Sequence, residues 1–247
     1  MDIFEFVRSL ERYAKLSDKE ILDLQELDLS INELTYIPEN IGKLTNLKIL
    51  WLFNNQLTVL PESIGDLSNL EELWLYGNKL TCLPESIRKL SKLQKLYLPE
   101  NRLTYLPQSI RDLSKLQILD LSFNRVTYLS EDLGNLSDLQ ELWVSWNQLH
   151  SLPESIGNLS NLQELWLSNN KLTSLPEGFG NLSNLEELHL KDNQLNDQAQ
   201  SVLKTLVMTN SVITKLFTDK FDFSEELNRN KRKEPAPGRT TAKSVEY

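Results

Sequence analysis

The sequence predicts a solenoid built from short parallel strands, and three observations carry this prediction. Asparagine recurs every 23 residues in eight copies, from Asn32 to Asn193. Each copy stands in nearly the same frame, LxxLxLxxNxL, in which x is variable. The 247 residues include 51 leucines and only four alanines, whereas ordinary globular cores mix several apolar types. A repeat of this length is typical of units that pack only on their neighbours.

Eight frames begin at regularly spaced leucines, and the eighth is truncated. The second reads LKILWLFNNQLTVLPESIGDLSN and the seventh reads LQELWLSNNKLTSLPEGFGNLSN. These copies resemble the leucine-rich repeat family, in its 23-residue LPxxIxxL subclass, and are similar to bacterial and Ras-scaffold-type members. The resemblance covers residues 24–196 and implies an α/β horseshoe with a parallel sheet on the concave face and short helical or 3-10 turns on the convex face. The frames start at Leu24, Leu47, Leu70, Leu93, Leu116, Leu139, Leu162 and Leu185.

The frame itself explains each element of the repeat. The Leu-x-Leu alternation places two leucines on one side of a short strand and the residue between them on the other. The second half begins with proline and carries apolar residues three apart, which favours a tight helical turn. The recurring asparagine is expected to be buried where the strand ends, with its amide bonded to backbone groups, since an unpaired buried amide is costly.

A solenoid needs caps at both ends, because its terminal units would otherwise expose the core. Residues 1–23 predict an N-terminal helical cap, in which Ser17 and Glu20 have the spacing of a capping box. Residues 197–227 predict a C-terminal cap made of one helix, or of two helices broken near Asn210. Residues 228–247 are polar and contain proline, which predicts a disordered tail.

Composition and motifs argue against an enzyme. Cys82 is the single cysteine and occupies a packing position of the frame, while His150 and His189 are isolated from each other. No phosphate-binding glycine loop, nucleophile elbow or paired-cysteine motif occurs, so we expect no catalytic residues, no cofactor and no metal. The net charge of −9 disfavours a nucleic-acid partner.

The cellular location is predicted from the targeting and membrane-spanning features that the sequence lacks. The first residues carry acidic side chains where a signal peptide would be basic and then apolar, and no run is long enough to span a membrane. The chain lacks the cysteine-bonded caps of secreted animal members of the family it resembles. We therefore expect a monomeric cytoplasmic protein, or a bacterial effector delivered into a host cell, that does not associate with membranes.

The variable positions on the concave face are the best indication of function. Large aromatic side chains concentrate at the fifth, seventh and eighth positions of the frame, and all five tryptophans are among them. Tryptophan and tyrosine are enriched at binding hot spots, and a large exposed apolar patch usually marks an interaction surface. The predicted partner-binding rings are Trp51, Phe53, Trp74, Tyr76, Tyr97, Phe123, Trp143, Trp146, Trp166 and His189.

Acidic residues at the third position define the charge of the expected partner. Glu72, Glu141 and Glu164 lie on the same side of their strands as the rings and complete the predicted site. Aromatic rings flanked by carboxylates favour a protein or peptide that presents lysine or arginine beside apolar groups.

Other interpretations stay open. The rings could merely pack on one another, the glutamates could only add solubility, and copies of one tryptophan could have arisen by repeat duplication. Stacked tryptophans also suit the faces of sugars, which would make the protein a glycan-binding module. A scaffold that uses its convex or lateral surface is a further alternative, and the fold alone does not decide among these.

Overall fold

The computed structural model describes residues 1–231, except for the side chains of Arg229 and Lys231. It contains one open sheet of nine parallel strands that follow one another in chain order. None of the helices within this part of the chain is long and apolar enough to cross a bilayer. The strands are β1 (Glu26–Asp28), β2 (Ile49–Trp51), β3 (Glu72–Trp74), β4 (Lys95–Tyr97), β5 (Ile118–Asp120), β6 (Glu141–Trp143), β7 (Glu164–Trp166), β8 (Glu187–His189) and β9 (Lys215–Phe217).

The register aligns equivalent positions of successive repeats. The central leucine of each strand lies opposite that of its neighbours, as Leu50 does between Leu27 and Leu73. These central leucines are fully buried from β1 to β8 and form the floor of the core. Since side chains alternate along a strand, the third and fifth positions point away from the core, onto the concave face.

Short 3-10 turns cover the convex side, as the frame predicts. Each turn follows a proline or, once, Ser130, and its apolar residue packs into the core. Ser130 adopts the extended backbone of the prolines, and its hydroxyl accepts a hydrogen bond from the amide of Asp132. The convex turns are Glu39–Lys43, Glu62–Asp66, Glu85–Lys89, Gln108–Asp112, Glu131–Asn135, Glu154–Asn158 and Glu177–Asn181.

The recurring asparagine binds successive repeats together. Asn101 donates from Nδ2 to the carbonyl oxygens of Leu75 in the preceding repeat (3.0 Å) and Leu98 in its own (3.1 Å). Its Oδ1 accepts from the amide of Leu80 at 2.9 Å. We call this repeated set of bonds the asparagine ladder. The other asparagines with the same three bonds are Asn55, Asn78, Asn124, Asn147, Asn170 and Asn193.

Helices precede the first repeat. Helix α1 (Ile3–Arg8) and helix α2 (Asp18–Leu22) are separated by a 3-10 turn over Glu11–Tyr13. The predicted capping box is present, because Ser17 accepts from the amide of Glu20 and the Glu20 carboxylate accepts from the amide of Ser17. The buried side chains of α1 join the hydrophobic core of the first repeats.

The C-terminal end differs from the expected one or two helices. Helix α3 (Asp197–Thr209) forms, but the chain then enters strand β9 in place of a second helix. The cause is Asn210, whose Nδ2 donates to the carbonyls of Leu182 and Leu185 while its Oδ1 accepts from two following amides. Unlike the ladder asparagines, which follow their strands, Asn210 precedes its strand, and its bonds hold the chain against the segment that leads into β8.

Helix α4 (Ser224–Lys231) also departs from the expectation for the tail, because its last residues fall within 228–247. Asn230 is buried there and donates from Nδ2 to the carbonyls of Asn210 and Ile213, at 3.1 and 3.2 Å. The first four residues of that segment are therefore helical, which corrects the predicted start of the tail. The remainder, 232–247, lies outside the described residues.

We predict that Asn101→Ala lowers the free energy of unfolding by about 3 kcal/mol, because three buried hydrogen bonds are lost at roughly 1 kcal/mol each. Asn161→Ala is the matched control, since that exposed amide donates one bond, to the carbonyl of Ser137. The control should lose less than about 1 kcal/mol in urea unfolding. Equal losses in the two variants would contradict the ladder's importance.

Candidate binding face

Side chains at the fifth position form a row across the concave face, one from each strand. Trp51 lies in register with Trp74, and Trp74 stacks on Tyr97 with ring centroids 4.0 Å apart and planes 26° apart. A longer stack, called here the aromatic column, crosses the last four strands with centroid distances of 5.6, 4.1 and 4.4 Å. Its members are Trp143, Trp166, His189 and Phe217.

Further ring pairs lie beside this row, toward the ends of the strands. Phe53 and Tyr76, at the seventh position, are almost parallel, with centroids 4.6 Å apart. Phe123 and Trp146, at the eighth position, stack with centroids 5.4 Å apart and planes 10° apart. The structure thus groups the ten predicted rings into two clusters, which are separated at the fifth position by Asp120.

The rings do not form the broad exposed patch that the sequence led us to expect. Most are half-buried, because each ring covers part of its neighbour. Among the ten, only Phe123 and Trp146 remain largely exposed, at 51% and 52%. Most of these rings are therefore partly buried by packing on one another. Only the Phe123–Trp146 pair leaves a large apolar surface exposed to water.

This exposed pair also has an unfavourable backbone. The residue before each ladder asparagine adopts the left-handed conformation, with φ of 55° at Phe123 and 57° at Trp146. Three other repeats place residues there that tolerate this conformation, Asn54, Gly77 and Asn169, whereas Ile31, itself 70% exposed, and Glu100 adopt it in two more. A bulky side chain costs roughly 1 kcal/mol or more at such a position. Phe123 and Trp146 therefore combine backbone strain with apolar exposure.

Acidic side chains at the third position flank the rings, and we call them the carboxylate row. Two tryptophans donate from Nε1 to the glutamate two residues earlier, Trp74 to Glu72 at 3.0 Å and Trp166 to Glu164 at 3.2 Å. His189 makes the corresponding contact through Nε2 with Glu187 at 2.7 Å. Trp143 breaks the pattern, since its Nε1 is buried and has no hydrogen-bond partner within the described part of the chain.

The carboxylate row is neutralised unevenly. Lys95 lies 2.9 Å from Glu72, and Lys215 lies 2.6 Å from Glu187. Among the side chains that the structure describes, no cation lies within ion-pair distance of Glu141 or Glu164. Glu72 and Glu187 are therefore paired with cations, whereas Glu141 and Glu164 on the neighbouring strands β6 and β7 are not.

Charge and burial shift the pKa values of these groups. Burial, and then the charge of Glu164, raises the pKa of Glu141 to about 7. Burial and the charge of Glu187 also raise the pKa of Glu164. Burial acts in the same direction on Glu187, but its hydrogen bonds with Lys215 and His189 leave its pKa below the usual value. Ionised Glu141 is therefore poorly stabilised by its surroundings.

Asp120 interrupts the row of rings between the two clusters. It is only 3% exposed, and its Oδ1 accepts from the amide of Ser122 at 2.8 Å. Burial raises its pKa to about 6, against the opposing effect of the bonds from Ser122.

The search by sequence missed two residues of this face, Lys215 and Phe217. They lie on β9, which continues the sheet after a longer interval of 28 residues between paired positions. The spacing of Ile213 and Leu216 repeats the Leu-x-x-Leu start of the frame and could have revealed them.

Among the described residues there is no group of three or more His, Cys, Asp or Glu side chains suited to hold a metal ion. Cys82 is a partly buried free thiol. The expected lack of catalytic residues and cofactors stays a prediction.

We predict that Phe123→Asn with Trp146→Asn leaves the free energy of unfolding unchanged or raises it. Asparagine adopts the left-handed conformation with less strain, which should gain roughly 1 kcal/mol at each of the two positions. This gain offsets the loss of one ring stack, worth about 0.5 to 1.5 kcal/mol. Urea unfolding measures the difference. A loss above about 2 kcal/mol, well beyond the usual effect of a surface substitution, would show that these rings are structural.

Asp120 should make stability depend on pH. Its carboxyl takes up protons more readily in the folded state (pKa about 6) than in the unfolded state (3.8), so the free energy of unfolding falls as pH rises from about 4 to 6. Asp120→Asn should remove this decrease, worth up to about 3 kcal/mol, and stabilise the protein at pH 8. Asp138→Asn removes an exposed carboxylate as the control. The same pH dependence in both variants would contradict the assignment.

Comparison with known proteins shows the family. The model of a leucine-rich repeat region matches residues 7–149 and 108–231. No curated protein matches the chain.

Solved structures give the same result. A leucine-rich repeat protein of Leptospira interrogans is 36% identical, with a TM-score of 0.79, over 87% of this chain and 55% of its own. The ectodomain of the Arabidopsis thaliana receptor kinase GASSHO1/SCHENGEN3, in complex with CASPARIAN STRIP INTEGRITY FACTOR 2, is 36% identical with a TM-score of 0.67, over 79% of this chain and 24% of its own. The plant peptide hormone receptor RGFR1, in complex with RGF2, is 29% identical with a TM-score of 0.61, over 80% of this chain and 40% of its own.

This chain therefore spans about half the length of the Leptospira protein and less than half of the two plant receptor chains. The repeat frame, the sheet of parallel strands, the asparagine ladder and the match over most of its length together show that the chain belongs to the leucine-rich repeat family.

Proposed function

We propose that the protein is a non-enzymatic binding module whose concave face holds a protein or peptide segment carrying basic and apolar side chains. The observation that carries the proposal is the Phe123–Trp146 pair, which remains exposed on a strained backbone. Neither feature stabilises the fold, whereas an exposed aromatic pair suits the centre of an interface. The unpaired Glu141 and Glu164 on the same face supply the charge that favours a basic partner.

Similar structures support this class of partner. The two plant receptors described above are complexes, one with CASPARIAN STRIP INTEGRITY FACTOR 2 and the other, a peptide hormone receptor, with RGF2. Leucine-rich repeat domains are typically interaction modules without catalytic activity, which agrees with the proposal for this chain.

The site proposed here keeps the residues inferred from the sequence and adds Lys215 and Phe217. The predicted cytoplasmic or host-delivered location rests on the single Cys82 and the absence of cysteine-bonded caps, and it stays a prediction, as does the monomeric state.

One alternative has an observation in its favour. Exposed apolar side chains also occupy one shared position of four repeats on the lateral surface, just before the convex turns. Their exposed fractions range from 42% to 56%, so a scaffold could bind a partner there. Glycan binding has less support, because the stacked rings already cover each other's faces. The lateral residues are Tyr36, Val59, Tyr105 and Tyr128.

A displayed peptide library selected on the protein tests the proposal. The concave double variant, Phe123→Asn with Trp146→Asn, should weaken binding of the selected peptides by about tenfold or more, as expected for hot-spot rings. The lateral double variant, Tyr105→Asn with Tyr128→Asn, removes two exposed rings from neighbouring repeats and should change binding less than about twofold. Circular dichroism checks that both variants are folded.

The reverse result, with binding lost only in the lateral variant, would contradict the proposal and support the scaffold alternative. Selection of no peptide, together with binding of an oligosaccharide panel that the concave variant loses, would contradict it in favour of glycan binding.

A further inference from the structure

We propose that Glu141 and Glu164, beside the indoles of Trp143 and Trp166, form a subsite for a lysine or arginine side chain of an extended peptide that carries an aromatic residue two positions later. This inference rests on the proposed function and names the chemistry of the partner. The ligand is thus a segment of the form cation-x-aromatic.

The molecule contains this combination twice within its own sheet. On β4, Lys95 pairs with Glu72 while Tyr97, two residues on, stacks on Trp74. We call such an arrangement a filled unit: a glutamate that pairs with a cation, next to a ring that stacks on a second ring. In this unit both contacts come from one extended segment, Lys95 to Tyr97.

The second filled unit lies at the other end of the face. On β9, Lys215 pairs with Glu187 at 2.6 Å, and Phe217 stacks on His189 with centroids 4.4 Å apart. The sequences Lys-Leu-Tyr and Lys-Leu-Phe therefore satisfy two different glutamate–ring pairs on the same face. In both units the contacts run sideways within the sheet, from one strand to its neighbour.

Strands β6 and β7 carry the same glutamate–ring pairs, each already beside a second ring, Trp166 or His189, but without a cation. Glu141 and Glu164 are opposite each other in the parallel register, on strands about 4.8 Å apart. The residue facing Glu141 from β5 is Ile118, which cannot neutralise it. On the other side, Glu187 faces Glu164 and already binds Lys215. Two neighbouring carboxylates are left to repel each other, so a bound cation would relieve that repulsion.

Polar groups that follow Glu141 along the chain also lack partners among the described residues. Trp143 does not donate to Glu141, although the equivalent tryptophans on β3 and β7 donate to their glutamates. Two residues after Trp143, Ser145 lies on the same side of the chain and is only 7% exposed, with no hydrogen-bond partner for Oγ in the described part of the chain. The raised pKa of Glu141 agrees with this lack of stabilising contacts.

Geometry favours an organic cation over a metal ion. Calcium takes six to eight oxygen ligands, and this pair of glutamates offers two carboxylates among indole rings. An ammonium or guanidinium group placed there would contact both carboxylates beside the exposed edges of the stacked rings, and charge contacts strengthen when water is excluded. The nearby Phe123–Trp146 stack gives an exposed apolar platform for the rest of the segment.

The test uses three capped peptides: Gly-Gly-Lys-Leu-Phe-Gly-Gly, the same peptide with glutamine for lysine, and the same peptide with alanine for phenylalanine. Titrations are followed by the indole Nε1–H signals in NMR spectra, which report weak binding. We expect the lysine–phenylalanine peptide to bind at least about tenfold more tightly than the glutamine peptide. The alanine peptide should bind with intermediate or lower affinity because the ring contact is lost.

Matched charge variants locate the subsite. Glu141→Gln with Glu164→Gln should abolish the preference for lysine over glutamine while leaving the protein folded. Glu26→Gln with Glu85→Gln removes two charges elsewhere and should keep the preference. Calcium chloride alone should not reproduce the shifts of the Trp143 and Trp166 signals.

The outcomes separate this inference from the proposed function. If the library-selected peptides require Phe123 and Trp146, but the lysine preference is absent or survives in the Glu141/Glu164 variant, the subsite is wrong and the concave binding face remains. If calcium alone binds at these glutamates with the same shifts, the subsite for a cationic side chain is likewise overturned. Loss of the preference only in the Glu141/Glu164 variant supports it.

Discussion

The asparagine ladder is the constraint on which the rest of the structure depends. Each amide joins the end of one strand to the preceding repeat and also accepts a bond from a backbone amide, so the side chain cannot move along the sequence without leaving several buried groups unpaired. This fixes the constant interval between repeats and, with it, the register of the strands. Because the register is fixed, the side chains at one position of the frame form a straight row across the successive strands.

That geometry turns sequence variation between repeats into continuous rows of different side chains on the concave face. The leucines behind the sheet are equivalent and fully buried, whereas the rows in front differ from repeat to repeat. Neighbouring members of a row are close enough for rings to stack and for charges to pair. Lys95 pairs with Glu72 within one such row, whereas Glu141 has no cation within ion-pair distance among the described side chains, and its pKa is raised.

The turn at the end of each strand imposes a second constraint, on the backbone conformation of one residue. The residue before the ladder asparagine takes a left-handed conformation, which glycine or asparagine adopts at low cost. The aromatic residues Phe123 and Trp146 occupy this position although glycine or asparagine serves in three other repeats. This conflict between local preference and sequence is typical of functional sites.

How much could be predicted from sequence differs between the frame and the surface. The frame alone predicts which side of the sheet Trp143 or Glu141 occupies, because side chains alternate and the repeat is strict. It does not predict that rings such as Trp74 and Tyr97 cover each other, since stacking depends on side-chain rotation across strands. Strand β9 was missed because helix α3 lies between β8 and β9 and makes the interval between their paired positions 28 residues.

Photo-cross-linking of a selected peptide tests the concave-face account most directly. The photoreactive residue p-benzoylphenylalanine is placed at Trp146 on the concave face or at Tyr128 on the lateral surface, two sites of nearly equal exposure. The account predicts that the peptide cross-links from position 146 and not from position 128. Cross-linking from position 128 alone would contradict it.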